Sequence, residues 1–378
     1  MPLRHRDNVA FTVVVWSLVG LGALGVLLVM ALAGAPRTLL VAAALAALPV
    51  GPVVATYLWL DRYEPEPRGL LVAGLLWGAV VATSASVVLG GLGGLVAPMD
   101  RTTSAVLVAP VTEEATKGLF LVLLLWWRRH ELDGVLDGIV YAGMVGVGFA
   151  FTENILYLAS SYDGSDGFGP GGVEALTVTF VLRCVLSPFA HPFFTAFTGI
   201  GVGVAVGSRS TAVRVAAPLV GLALAMGWHA LWNASSTLPV GFFGTYALLM
   251  FPAFLLLVAA AVWCRSAERR VLADALQDAA RRGLLPASDI PMIADLRLRR
   301  RMRRDARRGG GVRAERAVRE YQEAAVELGF LHHRVLRGTA PDDFVPRGQV
   351  HLRRMNQARS QLPLPFPSAP SAQVVTSR

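Results

Sequence analysis

The stretch Val111-Thr-Glu-Glu-Ala-Thr-Lys-Gly118 lies inside an apolar run from about Thr103 to Trp127. A run of that length reads as a membrane-spanning helix, which needs about 20 mostly apolar residues. Two carboxylates and an amine therefore fall where such a helix should be uniformly apolar. Ionisable groups at that depth are costly, and they face a bundle interior or a polar cavity. Lys117 is the only lysine in the chain. It follows Glu113 by four residues and Glu114 by three, so on a helix it can partner both from the next turn. Two readings are open: a catalytic or transport site, and a structural ion pair that locks helices together.

Working outward, the class is a polytopic membrane protein. The 378 residues are 54% hydrophobic and only 16% charged, with mean hydropathy +0.52. Soluble proteins run nearer to about 25% charged. Eight apolar runs are visible, at about 9–35, 38–60, 70–97, 104–127, 135–160, 176–207, 213–235 and 243–264. The first is too long for the apolar core of a signal peptide and is followed by further spans, so it reads as a retained helix. The expected fold is all-α, a bundle of about eight spans. Leu89-Gly-Gly-Leu-Gly-Gly-Leu95 is the weak point of the third span. A close helix contact, a kink or a re-entrant turn would each account for it. Cys184 and Cys264 lie in or at the end of apolar runs, far apart, and suggest neither a disulfide framework nor a cysteine metal site.

Arginine orients the bundle. One set of flanks holds Arg4, Arg6, Arg62, Arg68, Arg128, Arg129, Arg209, Arg214 and the tail arginines; the other holds only Arg37 and Arg101. The positive-inside rule then places both termini in the cytoplasm. The domains expected are a membrane domain over 1–264, an arginine-rich helical cytoplasmic region over 265–340, and a disordered tail over 341–378. Helical spacing recurs at 266–282 and 313–336, around an arginine block at 297–308 and Gly309-Gly-Gly311. The block lacks interleaved aromatics or a zinc pattern, so no nucleic acid is expected. Anionic lipid at the cytoplasmic face is the expected partner.

The three spans that follow carry further polar residues, so four consecutive spans contribute. The fifth holds Glu153 and Asn154, the sixth Arg183 and His191, and the seventh His229 and Asn233. Each alone has a bland account as interhelical glue, and Phe149, Tyr157, Trp228 and Trp232 read as packing or interface aromatics. Depth argues against separate accounts. Glu113 is nine residues in from Ser104, about 14 Å at the helical rise. Glu153 is seven residues before Ser160, and His229 six before Ser235. These levels coincide between the outer interface and the midplane. His191, fifteen residues into its span, falls past the midplane on this count. Glu and His are ligands for zinc and equally the residues of general acid–base hydrolysis. No Gly-x-Ser-x-Gly or His-Glu-x-x-His pattern is present. Water activated by Glu, alone or with a metal, is what remains.

The ordered set Glu113-Glu114-x-x-Lys117, Phe149-x-x-x-Glu153-Asn154, His191 and His229-x-x-x-Asn233 resembles the PrsW family of intramembrane proteases, over about residues 40–264. That family is related to the Abi and CAAX-prenyl endopeptidases. The resemblance implies a bacterial plasma-membrane protease that cuts membrane-tethered anti-sigma factors on the extracytoplasmic side. It implies catalytic roles for Glu113, Glu114, Glu153, His191 and His229, with Lys117, Asn154, Arg183 and Asn233 in support. In the metal version, Glu114, Glu153, His191 and His229 are the expected ligands of a divalent ion, zinc being the candidate. The partner implied is a single-span membrane protein. Two departures stand out: the arginine-rich tail lies outside the family core, and relatives among the prenyl endopeptidases often carry Arg where this chain has Lys117. The alternatives are a proton-coupled transporter and a non-catalytic binding protein with a structural Glu/Lys/His network.

Overall fold

The structure, a computed structural model, describes residues 9–33, 35–96, 98–165, 170–237, 241–341 and 343–361. The described elements are helical and fall into two compact units. One comprises Pro65–Val262 with the described residues of 9–61. The other comprises Arg62–Glu64 and the chain from Trp263 onward.

The membrane unit begins with α1 (Val9–Ala33), α2 (Pro36–Leu60) and α3 (Arg68–Val96). Next come α4 (101–127) and α5 (Val135–Asp163), then α6 (173–186), α7 (Ala190–Gly207) and α8 (Thr211–Ser236). The chain leaves the unit within α9 (Gly241–Arg281). Among the described residues, seven helices are long and apolar enough to cross a membrane, with α6 and α7 together making one of them. Eight runs were expected, and α4 is the difference. It is about 40 Å long at the helical rise, but Glu113, Glu114 and Lys117 interrupt its apolar stretch. Its length still spans the roughly 30 Å hydrocarbon layer.

The bundle is built around α5, which is buried over 89% of its most apolar stretch. Small residues let its neighbours approach to backbone contact, the usual device where lipid supplies no hydrophobic drive between helices. A Cβ on Gly148 would lie 1.8 Å from Leu75 O, on α3. One on Gly138 would lie 2.0 Å from Gly199 O, on α7. The Leu89–Leu95 glycines have no such role. A Cβ at Gly90, Gly91 or Gly94 would meet nothing within 4 Å, and the helix runs on through them to Val96. The irregular turn of α3 lies earlier, as a π-helical segment at Trp77–Ala82. Gly148→Ala is therefore expected to destabilise the core by about 1–3 kcal/mol, the usual cost of overpacking. Gly90→Ala should be neutral. Thermal unfolding of both in one detergent checks the contrast.

The second unit has a core around Leu272, Leu276, Ile293, Tyr321, Ala325 and Met355. Its main element, α11 (Leu296–Arg337), follows the short α10 (Ile290–Ala294). Gly311 has φ +68° and breaks α11 into two arms. The arms fold back on one another: Arg307 meets Glu315 at 3.0 Å, Arg303 Nε donates to Gln322 at 2.7 Å, and Gln322 Nε2 donates to Arg299 O at 3.3 Å. Met302 and Ala306 pack against Ala317 and Val318 at the closed end. The disordered tail expected from 341 is corrected over part of its length. Phe344–Ser360 forms a helix, α12, that buries Met355 and Ala358. Arg354 fastens it to Glu327 and, at 2.6 Å, to Glu320. Residues 362–378 lie outside the described part.

Candidate active site

Local backbone chemistry prepares α4 for its polar load. Residues 104–108 form a π-helical turn, in which a carbonyl bonds the amide five residues ahead. The residue five ahead of Ala105 is Pro110, which has no N–H to give. Asn233 Nδ2, from α8, donates to Ala105 O at 2.8 Å instead. That explains Asn233 in physical terms. It supplies a missing backbone donor and does not join the charged cluster that sequence reasoning assigned it to. Trp77 Nε1 makes the second tie to α4, donating to Thr116 O at 3.0 Å.

The cluster itself is connected through Lys117, whose side chain is fully buried. Its Nζ lies 2.9 Å from Glu114 Oε1, 3.3 Å from Glu113 Oε2 and 3.1 Å from His191 Nδ1. It also sits 3.6 Å above the Phe149 ring, a cation–π placement worth most in a desolvated site. Glu114 is spoken for on both oxygens. Oε1 faces Lys117 and His229 Nδ1, the latter at 2.9 Å, and Oε2 accepts from Thr195 Oγ1 at 3.0 Å. Glu153 is engaged as well: Oε2 meets His191 Nε2 at 2.6 Å and an Arg183 guanidinium nitrogen. Arg183 Nε donates to Asn154 Oδ1 at 2.8 Å, and the guanidinium lies 3.9 Å over Tyr157. The structure thus brings together Glu113, Glu114, Lys117, Glu153, Asn154, Arg183, His191 and His229. Only Asn233 stands apart.

His191 reaches this layer despite the depth count. Its span is broken: the π-helical turn Val181–Leu186 ends, Ser187–Phe189 leave the helix, and α7 restarts at Ala190. His191 and Pro192 sit in the first turn of that new helix, where proline costs no hydrogen bond. The His191 and His229 rings are 5.2 Å apart. Four contributors escaped sequence reasoning. Phe194 stacks on the His229 ring at 4.7 Å. Phe149 and Tyr157, read as packing and interface aromatics, each hold a cation. Thr195 holds Glu114, and its signal was available: it follows His191 by four residues on one helix face. Thr195→Val should cost about 1–3 kcal/mol of stability by leaving a buried carboxylate oxygen without its donor. Thr195→Ser should restore most of it. The check is the unfolding midpoint of each in detergent.

Charge and donor geometry both fit a divalent cation. Three carboxylates, Glu113, Glu114 and Glu153, face two permanent cations, Lys117 and Arg183. A residual negative charge in an apolar bundle favours a bound cation or proton. One ligand atom each from Glu113, His191 and His229 lie within 4.8 Å of one another. Donors around a single zinc stand roughly 3–3.5 Å apart, given bonds near 2 Å, so closure together with withdrawal of Lys117 Nζ from His191 Nδ1 would complete three protein ligands. The three converging donors differ from the expected set of Glu114, Glu153, His191 and His229. Glu114 and Glu153 spend their oxygens orienting His229 and His191, the usual task of carboxylates around a metal's histidines. Glu113 joins the histidines in their place. It meets His229 Nε2 and Lys117 through Oε2, at 3.7 and 3.3 Å.

Comparison with known proteins agrees with this geometry. Residues 66–257 match the model of the PrsW family intramembrane metalloprotease. The match starts later than the 40 expected, after α1 and α2. The chain is 31% identical over 157 residues to Protease PrsW of Geobacillus kaustophilus (strain HTA426), an alignment of 40% of this chain and 62% of that protein. It thus spans less than two thirds of that relative. No solved structure matches. The match covers half of the chain and every helix that contributes to the buried cluster, so this multi-pass membrane protein belongs to the PrsW family of intramembrane metalloproteases.

Proposed function

We propose that the protein is an intramembrane endopeptidase that hydrolyses a peptide bond of a single-span membrane protein. The observation that carries this is the convergence of Glu113, His191 and His229 inside the bundle, each backed by a second buried group. Glu113 is the general base. Its carboxylate takes the proton of a water molecule as the water oxygen attacks the scissile carbonyl, and hands that proton to the departing amide nitrogen. A base within hydrogen-bond reach of such a water contributes about 10²–10⁴-fold. Lys117 balances the carboxylate charge. Glu114 and Glu153 hold the imidazoles of His229 and His191, and Arg183 and Asn154 hold Glu153. A divalent cation, zinc being the one we expect, would be held by His191, His229 and one Glu113 oxygen, leaving the other Glu113 oxygen to act as the base. It would polarise the substrate carbonyl as a Lewis acid.

A helical substrate hides its carbonyls in hydrogen bonds, so the segment cut is unwound or lies just beyond its span. The arginine asymmetry puts both termini in the cytoplasm and the cluster in the outer half of the bilayer. Cleavage is therefore expected near the extracytoplasmic boundary, and the tail arginines are expected to meet anionic lipid. Reporter fusions at Gly167 and at the C-terminus should give opposite sides; matching sides would overturn the orientation. The metal is tested by elemental analysis of purified protein. About one zinc per chain is expected, lost in a His191→Ala/His229→Ala variant, with activity removed by chelation and restored by zinc. Full activity in metal-free protein would leave hydrolysis to Glu113 and water alone.

A further inference from the structure

The first arm of α11 carries the densest positive charge in the chain, outside the residues matched to the family. Some of its arginines have work within the fold. Arg299 Nε donates to Ile293 O at 2.8 Å, Arg303 bonds Gln322, Arg307 bonds Glu315, and Arg301 faces Asp305 at 3.7 Å. Arg300 Nε donates to Leu296 O at 3.2 Å, and Asp295 lies close enough to Arg297 for its carboxylate to be stabilised. Arg297, Arg300 and Arg304 make no ion pair within 4 Å among the described residues. They are spaced three and four apart, so they share one helix face. That face opens on a cavity of about 550 Å³ lined by Arg297, Arg300, Arg303, Arg304 and Glu315. The one acidic residue of the lining already faces Arg307.

We propose that this cavity is a binding site for an anion carrying two or more phosphate groups, held by Arg297, Arg300 and Arg304. Guanidinium groups present forked donors that match phosphate oxygens two at a time. Three of them on one face, none in a close ion pair and with Asp295 near Arg297 alone, leave a surplus of positive charge that an anion would offset. The volume falls in the range of small-molecule sites, roughly 300–1,000 Å³. The site is open to solvent on one side and has room for a diphosphate or a phosphorylated headgroup. The hairpin geometry supports a built site. The arms are held by the Arg303–Gln322 and Arg307–Glu315 bonds, so Arg297, Arg300 and Arg304 stand on a fixed frame.

The test uses the full chain in neutral detergent, titrated with inorganic pyrophosphate by calorimetry. Saturable one-to-one binding is expected. Arg297→Gln/Arg300→Gln/Arg304→Gln should raise Kd at least tenfold. A charge-matched control, Arg308→Gln/Arg313→Gln/Arg316→Gln, should raise it less than threefold. Replacing the same three arginines with lysine keeps the charge and should still weaken binding, because the forks are lost. No saturable binding in the wild type, or equal weakening by the site and control triples, would overturn the proposal. Nanodiscs then separate the two sources of phosphate. Pyrophosphate affinity that falls further with cardiolipin, which carries two phosphates, than with phosphatidylglycerol at equal surface charge identifies a lipid headgroup as the occupant. Affinity that falls no further with cardiolipin identifies a soluble one.

Discussion

Lys117→Met is expected to unfold the membrane core. The side chain is fully buried and is the shared partner of Glu113, Glu114 and His191 Nδ1. Removing it leaves two carboxylates close together in an apolar bundle, with Arg183 committed to Glu153 on the far side of His191. Breaking a buried pair by deleting one partner costs about 3–5 kcal/mol, because the other charge stays behind uncompensated. The loss is a large share of the roughly 5–15 kcal/mol by which most domains are stable. Lys117→Met/Glu114→Gln removes one charge of each sign and should recover a good part of it. The readout is the unfolding midpoint in one detergent. Equal stability of wild type and Lys117→Met would show that the cluster carries no net structural energy.

Glu113→Gln should behave in the opposite way, keeping the fold and losing the chemistry. Glu113 is the less committed carboxylate of the pair, with contacts of 3.3 and 3.7 Å and a side chain 12% exposed. Its amide replacement keeps the shape but cannot take a proton from water, so turnover should fall by about 10²–10⁴-fold. Glu114→Gln should lower both stability and turnover, since Glu114 holds Lys117, His229 and Thr195 at once. The contrast separates the two adjacent glutamates by role. If both variants lost only stability, with rates per folded molecule unchanged, neither would be a catalytic group.

Much of this layout is legible in the chain itself, because lipid makes polar residues conspicuous. A carboxylate or imidazole inside an apolar run has few places to go. Counting depth along α4, α5 and α8 therefore brought Glu113, Glu153 and His229 to one level. The count failed for His191 because it assumed one regular helix. The π turn at Val181–Leu186 and the break at Ser187–Phe189 change where that residue lands. Asn233 was misplaced because its partner is a backbone carbonyl orphaned by Pro110, a relation between two helices that spacing on one cannot reveal. The converging donor atoms differ from the expected ligand set for a related reason. Sequence shows that Glu113 and Glu114 are adjacent; only packing shows that Glu114 turns toward His229 and Thr195. The helix at Phe344–Ser360 was missed because few of its residues are apolar, and Arg354 bonded to two glutamates does much of the holding.

The most direct test of the central claim is cleavage by the purified full chain in proteoliposomes, with a single-span protein as substrate. The products are mapped by mass spectrometry, and Glu113→Gln is run beside the wild type. The account predicts two fragments from the wild type, with the cut near the extracytoplasmic end of the substrate span, and intact substrate from the folded variant. Fragments formed equally fast by Glu113→Gln would contradict it.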